Sequence, residues 1–200
     1  TSLGSTLAWK LISETRVDDS SVGIYSHKIG NQYWLVGGAC NTGGNILRAF
    51  FTNNELQSLT ETIEKENMFE LNLFGVRDAD FFKSNAGGDF GLEVNDAVKK
   101  CESERETCAN DALFLCKIFS SIAKAEKRCY ENANAMGASV KLKKVYTSGG
   151  GAANVTWCKM RSSCLSSDNP GSTIDVCASE YTEASYGTAL LAKQGFRDKR

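Results

Sequence analysis

The run Ser148-Gly149-Gly150-Gly151-Ala152-Ala153-Asn154-Val155-Thr156-Trp157 has the residue types and spacing of a ligand-facing turn. Three successive glycines lie between a strand-like segment and a helix-like one, and they cost backbone entropy that an ordinary turn avoids. That cost is explained where a flat or charged ligand presses on the main chain, facing N–H groups and a helix start. Asn154 then offers hydrogen bonds and Trp157 a flat wall. The competing reading is a surface turn followed by a core tryptophan.

Two further glycine-rich turns carry similar chemistry. Thr1-Ser2-Leu3-Gly4-Ser5-Thr6 can present hydroxyl and N–H donors to phosphoryl oxygens, although such clusters are also common turns. It lacks the Gly-Lys-Ser/Thr ending of a Walker A loop. Residues 37–44 place Gly37-Gly38 and Gly43-Gly44 around a strand-to-helix junction, where backbone approaches a ligand or a packed helix. Together the three turns form a coherent nucleotide cradle, with residues 2–6 toward phosphates, 37–44 in support and 149–157 at base and ribose. Asp78-Ala79-Asp80 lacks partners for a metal site, and no catalytic relay emerges. The single histidine, His27, has no evident partner.

The elements that must position these turns follow from periodicity. Residues 22–29 and 32–39 read as two strands joined at Gly30-Asn31, the second apolar enough to be central and ended by Gly37-Gly38. Residues 7–12 look helical. Thr52 and Glu55 have the spacing of a capping box, heading a helix to about Glu66. Residues 67–107 are irregular, broken by Gly87-Gly88-Asp89-Phe90-Gly91. A long apolar helix starts at Asn110 or Asp111 and stops at Gly137. Then come a strand at 144–147, a helix at 155–165, a loop through Pro170, a strand at 173–177 and a last helix over 183–192. Gly187 within that last helix calls for close packing or a bound group, since glycine there costs about 1 kcal/mol. This order predicts an α/β fold with a mixed sheet flanked by helices.

Composition bounds the partners. Of 200 residues, 42% are apolar and 24% charged, ordinary for a globular chain, and the net charge of -1 argues against nucleic acid. No apolar stretch is long enough to span a membrane. The eight cysteines are scattered without a Cys-x-x-Cys pair, which favours reduced, mostly buried thiols and a cytoplasmic protein, with an organelle left open. Cys101 and Cys108 are the candidates for an exposed reactive or bridged pair. Beginning at Thr1, the chain reads as a fragment.

The order of these runs resembles the C-terminal lobe of the FGGY carbohydrate kinases, most like the D-ribulose and D-xylulose kinase branch. The carrying runs are residues 1–8, Ser26-His27-Lys28-Ile29-Gly30, 34–44, Asp111-Ala112-Leu113-Phe114, 122–130, 147–157 and Glu183-Ala184-Ser185-Tyr186-Gly187. They span about 1–66 and 109–194. The resemblance implies a ribonuclease-H-like, actin-like ATPase domain over 1–200, with a divergent insertion at about 67–109. It implies ATP and Mg2+ as cofactors, and γ-phosphoryl transfer to the hydroxyl of a sugar such as a pentulose. Gly149, Gly150, Gly151, Asn154 and Trp157 would line the adenosine site, and Gly4 and Ser5 would approach the phosphates.

The resemblance places the catalytic aspartate and most of the metal-binding carboxylates in a sugar-binding N-terminal lobe, covalent or separate. The chain alone is therefore expected to bind nucleotide without phosphorylating sugar. The exposed partner surface leaves room for self-association as a homodimer. The family's Tyr-Pro-Leu and Gly-Glu-Arg-Phe-Pro segments are replaced here, from Leu71-Asn72-Leu73-Phe74 onward. That departure supports an alternative reading, a non-catalytic nucleotide-binding or regulatory remnant of such a kinase.

Overall fold

The computed structural model describes residues 1–82, 93–138, 141–167, 173–182 and 184–197. The Gly87–Gly91 break, Pro170, Glu183 and the basic end at 198–200 lie outside the described residues. Among the described residues six strands and six α-helices form an α/β arrangement, four strands then four helices, followed by strand, helix, strand and helix. They are β1 (Ser2–Leu3), β2 (Leu7–Ser13), β3 (Tyr25–Ile29), β4 (Tyr33–Cys40), α1 (Gly44–Phe50) and α2 (Asn53–Lys65). After these come α3 (Val94–Arg105), α4 (Asp111–Ala133), β5 (Lys144–Thr147), α5 (Val155–Ser166), β6 (Asp175–Ala178) and α6 (Ala184–Arg197).

Strands β1-β2-β4-β3 form an antiparallel sheet, and β5 and β6 pair in parallel. A parallel bridge between Ser2 and Ser148 joins the two sheets, with Leu3 N–H donating to the Ser148 carbonyl at 2.9 Å. The result is the expected mixed sheet. The hairpin at Gly30 is as expected, and β4 is central.

Two expectations about this sheet are corrected. Residues 7–12 form β2, not a helix: Leu7, Trp9, Leu11 and Ser13 alternate inward, while Ile12 stays exposed on the other face. Apolar Ala8 and Ile12 between the inward positions blur the two-residue period. Gly37 and Gly38 do not end β4, which continues to Cys40. They face protein, since a Cβ on Gly37 would strike the Trp9 carbonyl and one on Gly38 would come within 2.6 Å of the Gly23 carbonyl.

Helix α4 organises the interior, with 16 of its 23 residues buried, so it is packed nearly all round. Asn110 caps it by accepting from Leu113 N–H at 2.8 Å, and beyond its end Gly137 turns the chain at φ 100°. Its first half packs Phe114, Ile118 and Phe119 with Leu3, Leu7, Ile46, Phe51 and Trp157. Its second half lays Cys129, Tyr130 and Ala133 under Trp9, Leu11 and Val36 of the sheet.

The capping box of α2 is formed as expected, with Thr52 Oγ1 accepting from Glu55 N–H and Thr52 N–H donating to the Glu55 carboxylate. The region expected to be irregular contains α3, whose Ala97 and Cys101 are buried. No disulfide joins any of the eight cysteines. Cys101 is fully buried, and burial pushes its thiol up to about 12, which corrects its reading as exposed and reactive. Asp80 pairs with Arg128 at 2.6 Å. Around Gly187 there is open space, so close packing does not account for it; α6 is exposed over residues 185–195.

Candidate functional site

A cleft of about 560 Å³ opens where the end of β1, the 150–154 turn and helices α1, α2, α4 and α5 meet. Leu3 enters it from the end of β1 and Gly4 from the turn that follows, Gly44, Leu47 and Arg48 from α1, and Leu56, Gln57, Thr60, Glu61 and Glu64 from α2. The opposite wall is Gly150, Gly151 and Ala153–Trp157, and Phe119 of α4 lies at the floor. Of the residues singled out by sequence, Gly4, Gly150, Gly151, Asn154 and Trp157 thus share one cavity. Ser5 and Gly149 are exposed beside it and do not line it.

The glycines divide into two kinds. Gly149 has φ 82°, and a Cβ there would lie 2.6 Å from the Leu3 carbonyl; Gly151 packs against the Leu3 and Trp157 side chains. Both let the turn lie on β1. Gly43 likewise fits against the Thr6 backbone, and Gly44 N–H donates to the Gly4 carbonyl at 2.9 Å. Asn45 N–H donates to the Ser5 carbonyl at 3.0 Å, so the start of α1 holds up the 4–6 turn. Gly4 and Gly150 differ, because a Cβ on either would meet no protein atom within 4 Å. They expose bare backbone to the cleft, a surface a ligand can approach closely.

Asn154 caps α5 by accepting from Trp157 N–H at 2.9 Å, and its amide donates to Thr60 Oγ1 at 3.1 Å. Its side chain therefore shapes the wall and ties α5 to α2. Trp157 is only 2% exposed: its ring stacks on Phe119 and its Nε1 donates to the Phe119 carbonyl at 3.2 Å. It supports the cleft from beneath, instead of offering the open flat wall expected from sequence.

Charge is unevenly placed around the rim. Arg48 stands beside Gly44 and donates to Asn45 Oδ1 at 3.0 Å. Glu64 accepts from Lys159 and Thr156, and those bonds hold its carboxyl below the usual carboxylate range. Sequence reasoning missed Arg48 and the α2 contributors. Their one signal is the helical spacing of Asn53, Leu56, Gln57, Thr60, Glu61 and Glu64, which looks the same as any solvated helix face.

Among the described residues no cluster of three or more histidine, cysteine or acidic side chains is arranged for a metal ion. No helix among the described residues is long and apolar enough to cross a membrane.

No family model matches the sequence. Among solved structures the chain is similar to ligand-bound xylulose kinase from Lactobacillus acidophilus, at 13% identity and a TM-score of 0.62. It is similar to gluconate kinase from Lactobacillus acidophilus at 13% identity and a TM-score of 0.60. Each likeness covers 98% of this chain and 38% of the kinase, so the chain spans well under half the length of either. At that identity the likeness is one of fold. The chain has an α/β fold with a mixed sheet flanked by helices, in keeping with the ribonuclease-H-like, actin-like architecture.

Proposed function

We propose that this chain is the ATP-binding lobe of a carbohydrate kinase, working with a sugar-binding lobe that supplies the catalytic aspartate. The observation that carries the reading is the meeting of Gly4 and Gly150, both with open space at the Cβ position, in one cleft beside Arg48. Bare backbone and a guanidinium suit phosphoryl oxygens. The apolar Leu47 and Leu56 and the turn through Asn154 suit a base and ribose. ATP fits these residues, and Mg2+ would arrive on its phosphates. The chemistry supplied by the bound pair is in-line phosphoryl transfer, in which positioning and charge neutralisation dominate. This lobe's share is to hold the phosphates at Gly4 and Arg48 and to orient them toward the sugar.

The two solved kinases of similar fold are named for xylulose and gluconate. A pentulose acceptor remains our reading from the resemblance of residues 26–44 and 147–157. ADP and Mg-ATP binding to the chain, measured by calorimetry, tests the site. Gly4→Val and Gly150→Val should each abolish binding while the melting temperature stays unchanged, because the new side chain enters the cleft without striking protein. A folded wild-type chain that binds neither nucleotide would sink the proposal.

A further inference from the structure

Among the described residues one ion pair is fully buried, and it joins the two helices that carry Phe119 and Trp157 of the cleft. Glu126 of α4 and Arg161 of α5 are both fully buried, and Arg161 Nε and Nη2 donate to the two carboxylate oxygens at 2.6 and 2.8 Å. Arg161 Nη1 donates at 3.0 Å to Oγ1 of Thr147, the last residue of β5 and itself buried. The Thr1 hydroxyl donates to the same carboxylate at 2.6 Å and bonds Tyr130 at 2.8 Å. Burial opposes the charge of Arg161, but Glu126 outweighs it and holds the guanidinium above its ordinary value. One side chain thus fastens two helices and the strand that leads into the Ser148–Asn154 turn.

The spacing along the two helices shows what the pair adds. Phe119 and Glu126 lie two turns apart on α4, and their partners Trp157 and Arg161 lie one turn apart on α5. Two stacked planar rings tolerate sliding and rotation, whereas a bidentate guanidinium–carboxylate contact does not. A buried pair contributes little stability beyond a well-packed apolar one, so stability alone does not account for it here. We propose that Glu126 and Arg161 are positioning residues for the cleft. They fix the rotation of α5 and the end of β5, and through them the 148–154 turn that forms one wall. Its binding readout rests on the nucleotide reading above.

The test is the double variant Glu126→Leu/Arg161→Met, which removes both charges together. Urea unfolding, amide hydrogen exchange over residues 148–154 and ADP calorimetry are compared with wild type. The expected result is wild-type stability or better, with turn amides exchanging at least tenfold faster and ADP affinity at least tenfold weaker. Unchanged exchange at unchanged stability overturns the positioning role, whatever happens to nucleotide. A wild-type chain that fails to bind ADP overturns the nucleotide reading instead, and the exchange data still decide the positioning role. Should the double variant fail to fold, Thr147→Val takes its place, since it keeps the ion pair and deletes the bond to β5. It should speed exchange in the turn severalfold, and equal rates would overturn the role.

Discussion

Trp157 lies flat on Phe119, with ring centroids 4.5 Å apart and planes 14° from parallel, and its indole N–H reaches the Phe119 carbonyl. A single side chain therefore joins the first turn of α5 to the middle of α4 beneath the cleft. The contact is both apolar and directional.

Trp157→Ala should lower stability by about 3–5 kcal/mol, through lost burial and an unfilled cavity. Trp157→Phe keeps a ring on Phe119 and should cost less, about 1–3 kcal/mol, chiefly from the bond it removes. Denaturant unfolding followed by circular dichroism measures both. Equal losses in the two variants would mean that the stacked ring contributes nothing beyond the hydrogen bond.

The glycine run can be dissected by stability as well as by binding. Gly149 sits at φ 82° with the Leu3 carbonyl where a Cβ would go. Gly149→Val should destabilise the fold by about 1–3 kcal/mol, since it combines a strained backbone with a clash. Gly150→Val should leave stability within about 0.5 kcal/mol of wild type. Thermal melts of the pair decide it, and indistinguishable melts would remove the structural distinction between neighbouring glycines.

Burial pushes the thiols of Cys101 and Cys116 up to about 12 and that of Cys164 up to about 11. A free thiol ionises near 9, so above that pH the unfolded chain loses protons that the folded chain retains. Stability is then full below pH 9 and falls as pH rises toward the folded values, by about 1.4 kcal/mol per pH unit for each thiol. Melting temperatures between pH 8 and 10.5 should drop steeply, and Cys101→Ala/Cys116→Ala should flatten the slope. A slope unchanged in that variant would count against buried thiols as its cause.

How much was legible depended on whether the signal was local. Thr52 and Glu55 announced a capping box through two residues at fixed spacing, and Gly137 marked the stop of α4 by itself. Residues 7–12 fit a helix as well as a strand because Ala8 and Ile12 are apolar on the outward face, which leaves a run compatible with either period. The glycines at 37 and 38 looked like punctuation, yet their reason lies across the sheet in Trp9 and Gly23. Two glycines of the 149–151 run turned on the same kind of distant neighbour. Only coordinates separate Gly149 and Gly151, which pack on Leu3, from Gly150, which faces open space. Glu126 and Arg161, 35 residues apart, carried no pattern that paired them.

The bridge between Ser2 and Ser148 is a suture. Leu3 N–H and Ser148 N–H each donate across it, stitching an antiparallel block to a parallel one. Where two strand blocks open as separate cooperative units, the boundary between them is set by how few bonds cross it, and here these two main-chain bonds do. The cleft lies along that line, with Leu3 and Gly4 on one lip and Gly150 and Gly151 on the other. A ligand seated there would touch both blocks at once, and by binding only the joined form it would strengthen their cohesion.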